Sequence, residues 1–151
     1  MIQEPITDDH IKELEENIRF NDMKEVQATC LLPLPDLMNW HAAKSSRSMA
    51  VTIDNSLYCV YGVIPMSLVS DVGVPWLLTT NEVSEHPRHL VKHSPTILQE
   101  MLQDYRKLVN YVDARYTQAI RWIKWLGFNV YPADMNGVMD VPSHKVEMRR
   151  S

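Results

Sequence analysis

Apolar positions in this chain recur with two periods, and the changes from one to the other mark out its elements. Behind Thr7, a residue suited to an N-cap, Ile11, Leu14 and Ile18 fall three and four apart. That spacing predicts a first helix after a short extended start over Ile2–Ile6. Pro33 and Pro35 punctuate the next stretch, and Asp36–Ala43 reads as a second short helix carrying Leu37, Met38 and Trp40. The pattern then becomes that of extended chain. Ser48–Ile53 and Leu57–Ile64 are β-rich runs separated by Asp54-Asn55-Ser56, residues that tolerate the positive φ of a tight turn, so an antiparallel hairpin is expected. Val72–Thr79 is a third strand, and Pro75 within it, unable to donate a ladder hydrogen bond, predicts a bulge or an interruption.

The helical period returns at Ser94-Pro95, a cap followed by a first-turn proline. Ile97, Leu98, Met101, Leu102, Tyr105, Leu108 and Val109 then share one face, which leads into a short strand over Asn110–Ala114. Thr117 is the expected cap of another helix, with Ala119, Ile120, Ile123 and Leu126 inward and Gly127 as its stop. Phe128–Tyr131 begins a further strand, His144–Met148 forms the last, and an irregular connection runs from Pro132 to Pro142. The resulting order, β-α-α-β-β-β-α-β-α-β-β, is that of an α/β or α+β domain whose sheet is covered by helices on both faces.

Composition narrows the class. With 151 residues, 45% hydrophobic and 23% charged, and no linker, repeat or low-complexity stretch, the chain is expected to form one domain over 1–151. Its longest apolar run, Val60–Val69, is broken by Gly62, Pro65 and Ser67 and falls short of the ~20 residues of a membrane-spanning helix, so no span is expected. Met1-Ile2-Gln3-Glu4-Pro5 lacks a basic stretch followed by an apolar one, so the expectation is no secretory signal and a protein that works inside the cell that makes it. Cys30 and Cys59 lie outside any C-x-x-C spacing and read as buried thiols. A net charge of −4 argues against a general nucleic-acid binder. That charge is concentrated between Asp8 and Glu25, where seven acids face three bases: a solvated helix face, or an acidic docking surface.

The stretch Val112-Asp113-Ala114-Arg115-Tyr116-Thr117-Gln118-Ala119-Ile120-Arg121-Trp122-Ile123-Lys124-Trp125-Leu126-Gly127-Phe128 resembles the C-terminal half of the GCN5-related N-acetyltransferase (GNAT) fold, and the element order agrees from end to end. More narrowly, Gly73-Val74-Pro75-Trp76-Leu77-Leu78-Thr79, His86-Pro87-Arg88 and Asn110–Phe128 resemble short GNAT-like proteins of tailed phages, the family that includes the internal virion protein A of podoviruses. The resemblance implies a central mixed, mostly antiparallel sheet of six to seven strands with helices on both faces. It also implies acetyl-CoA, if the protein is active, in a splay between the fourth and fifth strands.

On that resemblance, a bulge at Pro75 would free the amides of Trp76, Leu77 and Leu78 for the cofactor, those of Leu77 and Leu78 for the thioester oxygen, where preorganised donors meet developing charge; a kinked buried strand is the alternative. The family's glycine-rich diphosphate turn is absent: none of Gly62, Gly73, Gly127 and Gly137 lies in the Glu82–Thr96 window, which also holds Pro87 and Pro95. Arg88, His89 and Lys92, beside His86 and His93, could hold an anion by side chains; otherwise the cluster is a solvated loop or a subunit contact. No carboxylate or cysteine completes a metal set there. Tyr116 falls where the family has an asparagine on the cofactor arm, and Ile123 where it has the tyrosine that protonates the leaving thiolate. Glu82, Glu85 or a histidine of the window is the candidate general base.

Trp122 and Trp125, three apart on the last helix among Arg115, Arg121 and Lys124, are candidates for a partner interface, with flank packing as the alternative. Two functions therefore stand. One is a phage virion or assembly component with a degenerate acetyltransferase site, in several copies against portal, internal-core or tail proteins, located in the host cytoplasm and the particle. The other is an active acetyl-CoA-dependent N-acetyltransferase acting on an amine of a host or phage protein.

Overall fold

The structure is a computed structural model and describes residues 1–18, 34–67, 69, 71–134 and 142–150, with the backbone alone at 34–38. Cys30, Pro33 and the second half of the acidic run lie outside the described residues, as do the side chains of Leu37 and Met38. In chain order the elements are β1 (Ile2–Glu4), α1 (Asp8–Asn17), α2 (Leu34–Lys44), β2 (Arg47–Ile53), β3 (Ser56–Pro65), β4 (Val72–Thr79) and α3 (Glu82–Glu85). There follow α4 (Pro87–Asp104), β5 (Lys107–Asp113), α5 (Thr117–Leu126), β6 (Asn129–Val130) and β7 (Ser143–Arg149). The fold is α+β, with one seven-stranded, mostly antiparallel sheet of order β1-β2-β3-β4-β5-β7-β6. The β4–β5 ladder is parallel and joins Val72 to Lys107 and Gly73 to Leu108.

The chain clusters into two compact units: Met1–Pro65 with Pro75–Lys92, and Met66–Val74 with His93–Ser151. In the first, Thr7 caps α1 as expected, and His10 completes a capping box in the place where glutamate is usual. The Thr7 N–H donates to His10 Nδ1 at 3.0 Å, which leaves the ring proton on Nε2, 3.0 Å from Glu4 Oε1. Ile11, Leu14 and Ile18 form a core with Ala50, Leu57 and Val60, against which Ile6, Trp76 and Leu78 pack. The hairpin turns on Asp54 and Asn55, both at positive φ (52° and 66°), with Ile53 paired to Ser56.

The register shift in this unit is not at Pro75. β4 runs unbroken through it, and the two flanking backbone bonds, Met66 N–H to Val72 C=O and Thr80 N–H to Tyr58 C=O, hold one antiparallel register with β3. In that register the Pro75 nitrogen lies on the edge away from β3, where its missing proton costs β3 nothing. The irregularity sits in the hairpin instead: Val51 faces Cys59 and Thr52 faces Leu57, so Tyr58 is the extra residue.

In the second unit β5 pairs with β7 over seven residues, and β6 extends the ladder. The helix expected from Ser94 begins at Pro87, and Pro95 lies inside it on an exposed position, forgoing one interior bond. Leu98, Met101 and Leu102 are its buried residues. Leu108 and Val109, which also fit the helical period, belong to β5, where they face Met148 and Glu147 of β7. Thr117 is the first residue of α5 and Tyr116 its cap. Gly127 (φ 106°) ends the helix as expected: its N–H bonds the Lys124 carbonyl at 3.0 Å, and that of Phe128 the Ile123 carbonyl at 3.3 Å.

Glu147 on β7 is buried, 2.6 Å from Arg149 Nε, 3.8 Å from Lys145 Nζ and 3.9 Å from Lys107 Nζ. The hydrogen bond from Arg149, then the nearby cations, hold its carboxyl below the ordinary 4.5 against the opposing effect of burial. A carboxylate depressed on folding stabilises above its unfolded pKa and loses that contribution as pH falls through the folded value. Stability should therefore begin to fall below about pH 4.5, and Glu147→Gln should be less stable at neutral pH with a shallower acid limb. Urea unfolding across pH 2–7 checks this, and parallel curves for the two proteins would refute it. Gly62 supplies a second test, since a Cβ there would lie 2.7 Å from both the Trp76 ring and the Arg47 carbonyl oxygen. Gly62→Ala should cost about 1–3 kcal/mol in urea unfolding, from strain against a backbone atom that cannot step aside.

Candidate functional site

The extra residue Tyr58 organises the ground around the start of α4. A bulge leaves backbone groups out of the ladder, and here other parts of the molecule take up three of them. The Leu57 N–H donates to the Glu13 carboxylate of α1. The fully buried Thr80 hydroxyl lies 2.6 Å from the Leu57 carbonyl and 3.1 Å from that of Tyr58, and accepts the Glu82 N–H at 3.2 Å, tying α3 to the bulge. The Tyr58 ring is buried and its hydroxyl reaches the α3–α4 junction, donating to the His86 carbonyl at 2.7 Å and accepting the Leu90 N–H at 3.2 Å.

That contact decides what the head of α4 can do. A helix start attracts anions through its uncommitted N–H groups. Here Pro87 has none, the His89 N–H bonds the His86 carbonyl at 3.3 Å, and the Leu90 N–H is held by Tyr58. The window expected as a loop is instead helical from Glu82 to Glu85 and again from Pro87, so a backbone nest is replaced by a capped helix. His86 and His89 meet edge to face at 5.8 Å, with the Tyr58 ring 6.1 Å from His89. His86 Nε2 stands 3.9 Å from Asp54 Oδ2 and 4.0 Å from Glu82 Oε2. Arg88 and Lys92, four apart and exposed on the first turns of α4, are the cations this ground offers to a diphosphate. Among the described residues no group of three or more histidine, cysteine or acidic side chains is placed to hold a metal ion.

The other predicted residues separate by the pleat of β4. Trp76 and Leu78 pack against the α1 core, and the Trp76 indole N–H donates to Ser45 Oγ at 2.9 Å. The register with β3 turns their amides toward that strand and the Leu77 amide toward the opposite edge. Of the three, Leu77 alone turns its amide to that edge.

In the other unit Tyr116 is half-buried at the α5 cap, its N–H bonded to the Asp113 carbonyl at 3.1 Å. Beside it is a pair that sequence reasoning misses: fully buried Asp113 binds the Arg115 side chain, with Nη2 at 2.6 Å and Nε at 3.0 Å, and takes the Arg115 N–H at 2.9 Å. Those bonds hold the Asp113 carboxyl below its ordinary range. The available signal was the D-x-R spacing at a strand end, where a carboxylate can turn back on the next turn's donors. Trp122 and Trp125 stack on each other at 5.5 Å, with Trp125 57% exposed. Ile123 is on the same helix, with no proton to give.

The whole architecture has known counterparts. Along 99% of each chain it superposes on smu.2055 from Streptococcus mutans UA159, with a TM-score of 0.70 at 16% identity. It is similar at 10% identity to a point mutant of spermidine N-acetyltransferase SpeG from Vibrio cholerae, with a TM-score of 0.69 over 99% of this chain and 95% of that one. The ribosomal-protein-alanine N-acetyltransferase of Brucella melitensis matches at 10% identity with a TM-score of 0.66, over 99% of this chain and 100% of its own. The fold is that of the GNAT acetyltransferases. No protein-family model matches the chain, and no curated protein matches its sequence. At these identities the likeness to GNAT proteins is one of fold.

Removing the phenolic oxygen tests the cap on α4. Tyr58→Phe should lower stability by about 1–3 kcal/mol, because the Leu90 N–H loses its partner and the His86 carbonyl the shorter of its two hydrogen bonds. Thermal unfolding reads this, and an unchanged midpoint would mean that the hydroxyl contributes nothing to holding the helix start.

Proposed function

We propose that the protein is an acetyl-CoA-dependent N-acetyltransferase acting on a primary amine. The observation that carries this reading is the Leu77 backbone on the open edge of β4, in a chain that follows acetyltransferase folds along nearly its whole length. Bound acetyl-CoA would supply an activated acetyl thioester. Leu77 N–H is the donor for its carbonyl oxygen, where a fixed dipole stabilises developing charge; the Leu78 amide faces β3. Arg88 and Lys92, with His89 beside them, would meet the diphosphate by side chains, a looser grip than a glycine nest gives. Tyr116 would border the cofactor arm. Glu82, Glu85 and His86 are the groups of this ground able to take a proton from the amine, and with isoleucine at 123 the leaving thiolate takes its proton from solvent.

A second reading is favoured by the Tyr58 hydroxyl on the Leu90 N–H, which closes the place where a GNAT enzyme would seat its diphosphate. In it the chain is a GNAT scaffold with a degenerate site, serving a tailed-phage particle against portal, internal-core or tail proteins, and present in the host cytoplasm and the virion.

Thermal unfolding with and without millimolar acetyl-CoA separates the two. Ligand at ~100 times its dissociation constant adds about 2.7 kcal/mol, roughly 5–10 °C for a domain this size. The first reading expects that shift in the wild type and a smaller one in Arg88→Ala and Lys92→Ala. No shift in the wild type would sink it and leave the scaffold.

A further inference from the structure

Two exposed helix faces on this chain have complementary chemistry. On α5, Arg121, Lys124 and Trp125 lie at i, i+3 and i+4 on an exposed face, and the Trp125 ring is stacked on that of Trp122 at 13° to it. Among the described residues neither Arg121 nor Lys124 has an ion-pair partner, whereas the other cations of this unit near acids are taken: Arg115 by Asp113, Lys107, Lys145 and Arg149 by Glu147, and Arg106 by Asp71. Cations around a flat, half-wet aromatic pair form a surface that is costly to leave in water and inexpensive to cover with acids.

On α1 the pattern is the reverse. Ile11, Leu14 and His10 face inward, and the exposed side carries Lys12 with Asp8 and Asp9 one turn before it and Glu15 and Glu16 one turn after. The acids at the helix head also suit its dipole, but Glu15 and Glu16 lie toward the C-terminal end, where a carboxylate is disfavoured. Their spacing of three and four from Lys12 offsets part of that cost, and their carboxylates remain on the exposed side. Four carboxylates around one ammonium match two cations around an indole stack: the acids meet Arg121 and Lys124, and Lys12 meets an indole face.

We propose that α5 of one copy docks on α1 of a second copy of this chain, so that the protein associates with itself through unlike faces, with Trp125 as the anchor. Such a contact is heterologous, so each copy keeps one unused face of each kind until further copies join. It follows from the two surfaces alone and is independent of whether acetyl-CoA binds.

The test uses the full chain in sedimentation velocity at sub-millimolar concentration. The wild type should associate at low salt and dissociate as the screening length falls from ~30 Å near 0.01 M to ~3 Å near 1 M. Trp125→Ala should weaken association about tenfold or more, with its far-UV circular dichroism unchanged. Two charge-reversed proteins make the outcome decisive: one carrying Arg121→Glu and Lys124→Glu, the other Asp9→Lys and Glu16→Lys. Each should be monomeric by itself, and an equal mixture should form a complex, since the unchanged α1 of the first then meets the unchanged α5 of the second. A monomeric wild type at low salt, association that survives both reversals, or reversed proteins that ignore each other on mixing would each overturn the proposal.

Discussion

A single residue inserted into the central hairpin, Tyr58, is the constraint on which the site-bearing half of this chain depends. A bulge in a buried strand is tolerated only if every displaced backbone group finds a partner, because an orphaned amide or carbonyl away from water costs as much as several good contacts return. Here the partners come from three elements distant in sequence: Glu13 of α1, Thr80 after β4, and, through the side chain of the inserted residue itself, the α3–α4 junction. The same bonds that satisfy the bulge therefore place α1, α3 and the head of α4 around β3. The strand is buried without alternation from Leu57 to Val63, so an irregularity near its start has no water to turn to and must be satisfied by the protein.

This bears on the chemistry through competition for one group. Acetyltransferase folds need backbone donors in two places, along a strand edge for the acyl end of the cofactor and at a helix head for the charged end. On the proposed reading the first falls to Leu77, while at the second the His89 and Leu90 N–H groups are taken internally, by the His86 carbonyl and by Tyr58. A glycine nest and a buried tyrosine cap are alternative solutions to the same problem of unsatisfied helix N–H groups, and the cap forgoes anion affinity for local order. On that reading a diphosphate would be met by long flexible cations, whose ordering on binding carries an entropic cost.

Much of the fold was legible in the residue pattern because the relevant physics is local. Asp54 and Asn55 announce their turn by tolerance of positive φ, Gly127 announces a left-handed helix stop, and Thr7 announces a cap. Where periods overlap, the pattern misleads: Leu108 and Val109 fit a helical stripe as well as a strand, and only pairing with β7, some forty residues away, decides for β5. Ser94-Pro95 has the pattern of a helix start because a proline there is ideal, yet Pro87 offers the same advantage eight residues earlier. At the site, the missing glycines could be read directly, since an absence in sequence is complete. The Tyr58 cap could not, because nothing in a continuous apolar run distinguishes the residue that will be the extra one.

The sheet ends in strands of three residues at β1 and two at β6, and this shapes how the chain can meet others. An open edge recruits foreign strands in proportion to the unpaired backbone it displays, and edges this short present too few donors and acceptors for a stable added strand. Fibril-like growth and strand exchange are thereby discouraged, and Pro5 just beyond β1 and Pro132 just beyond β6 act in the same direction. Association, where it happens, is left to side chains on helices, whose strength is set by residue identity and can be tuned by point substitution, leaving the sheet untouched.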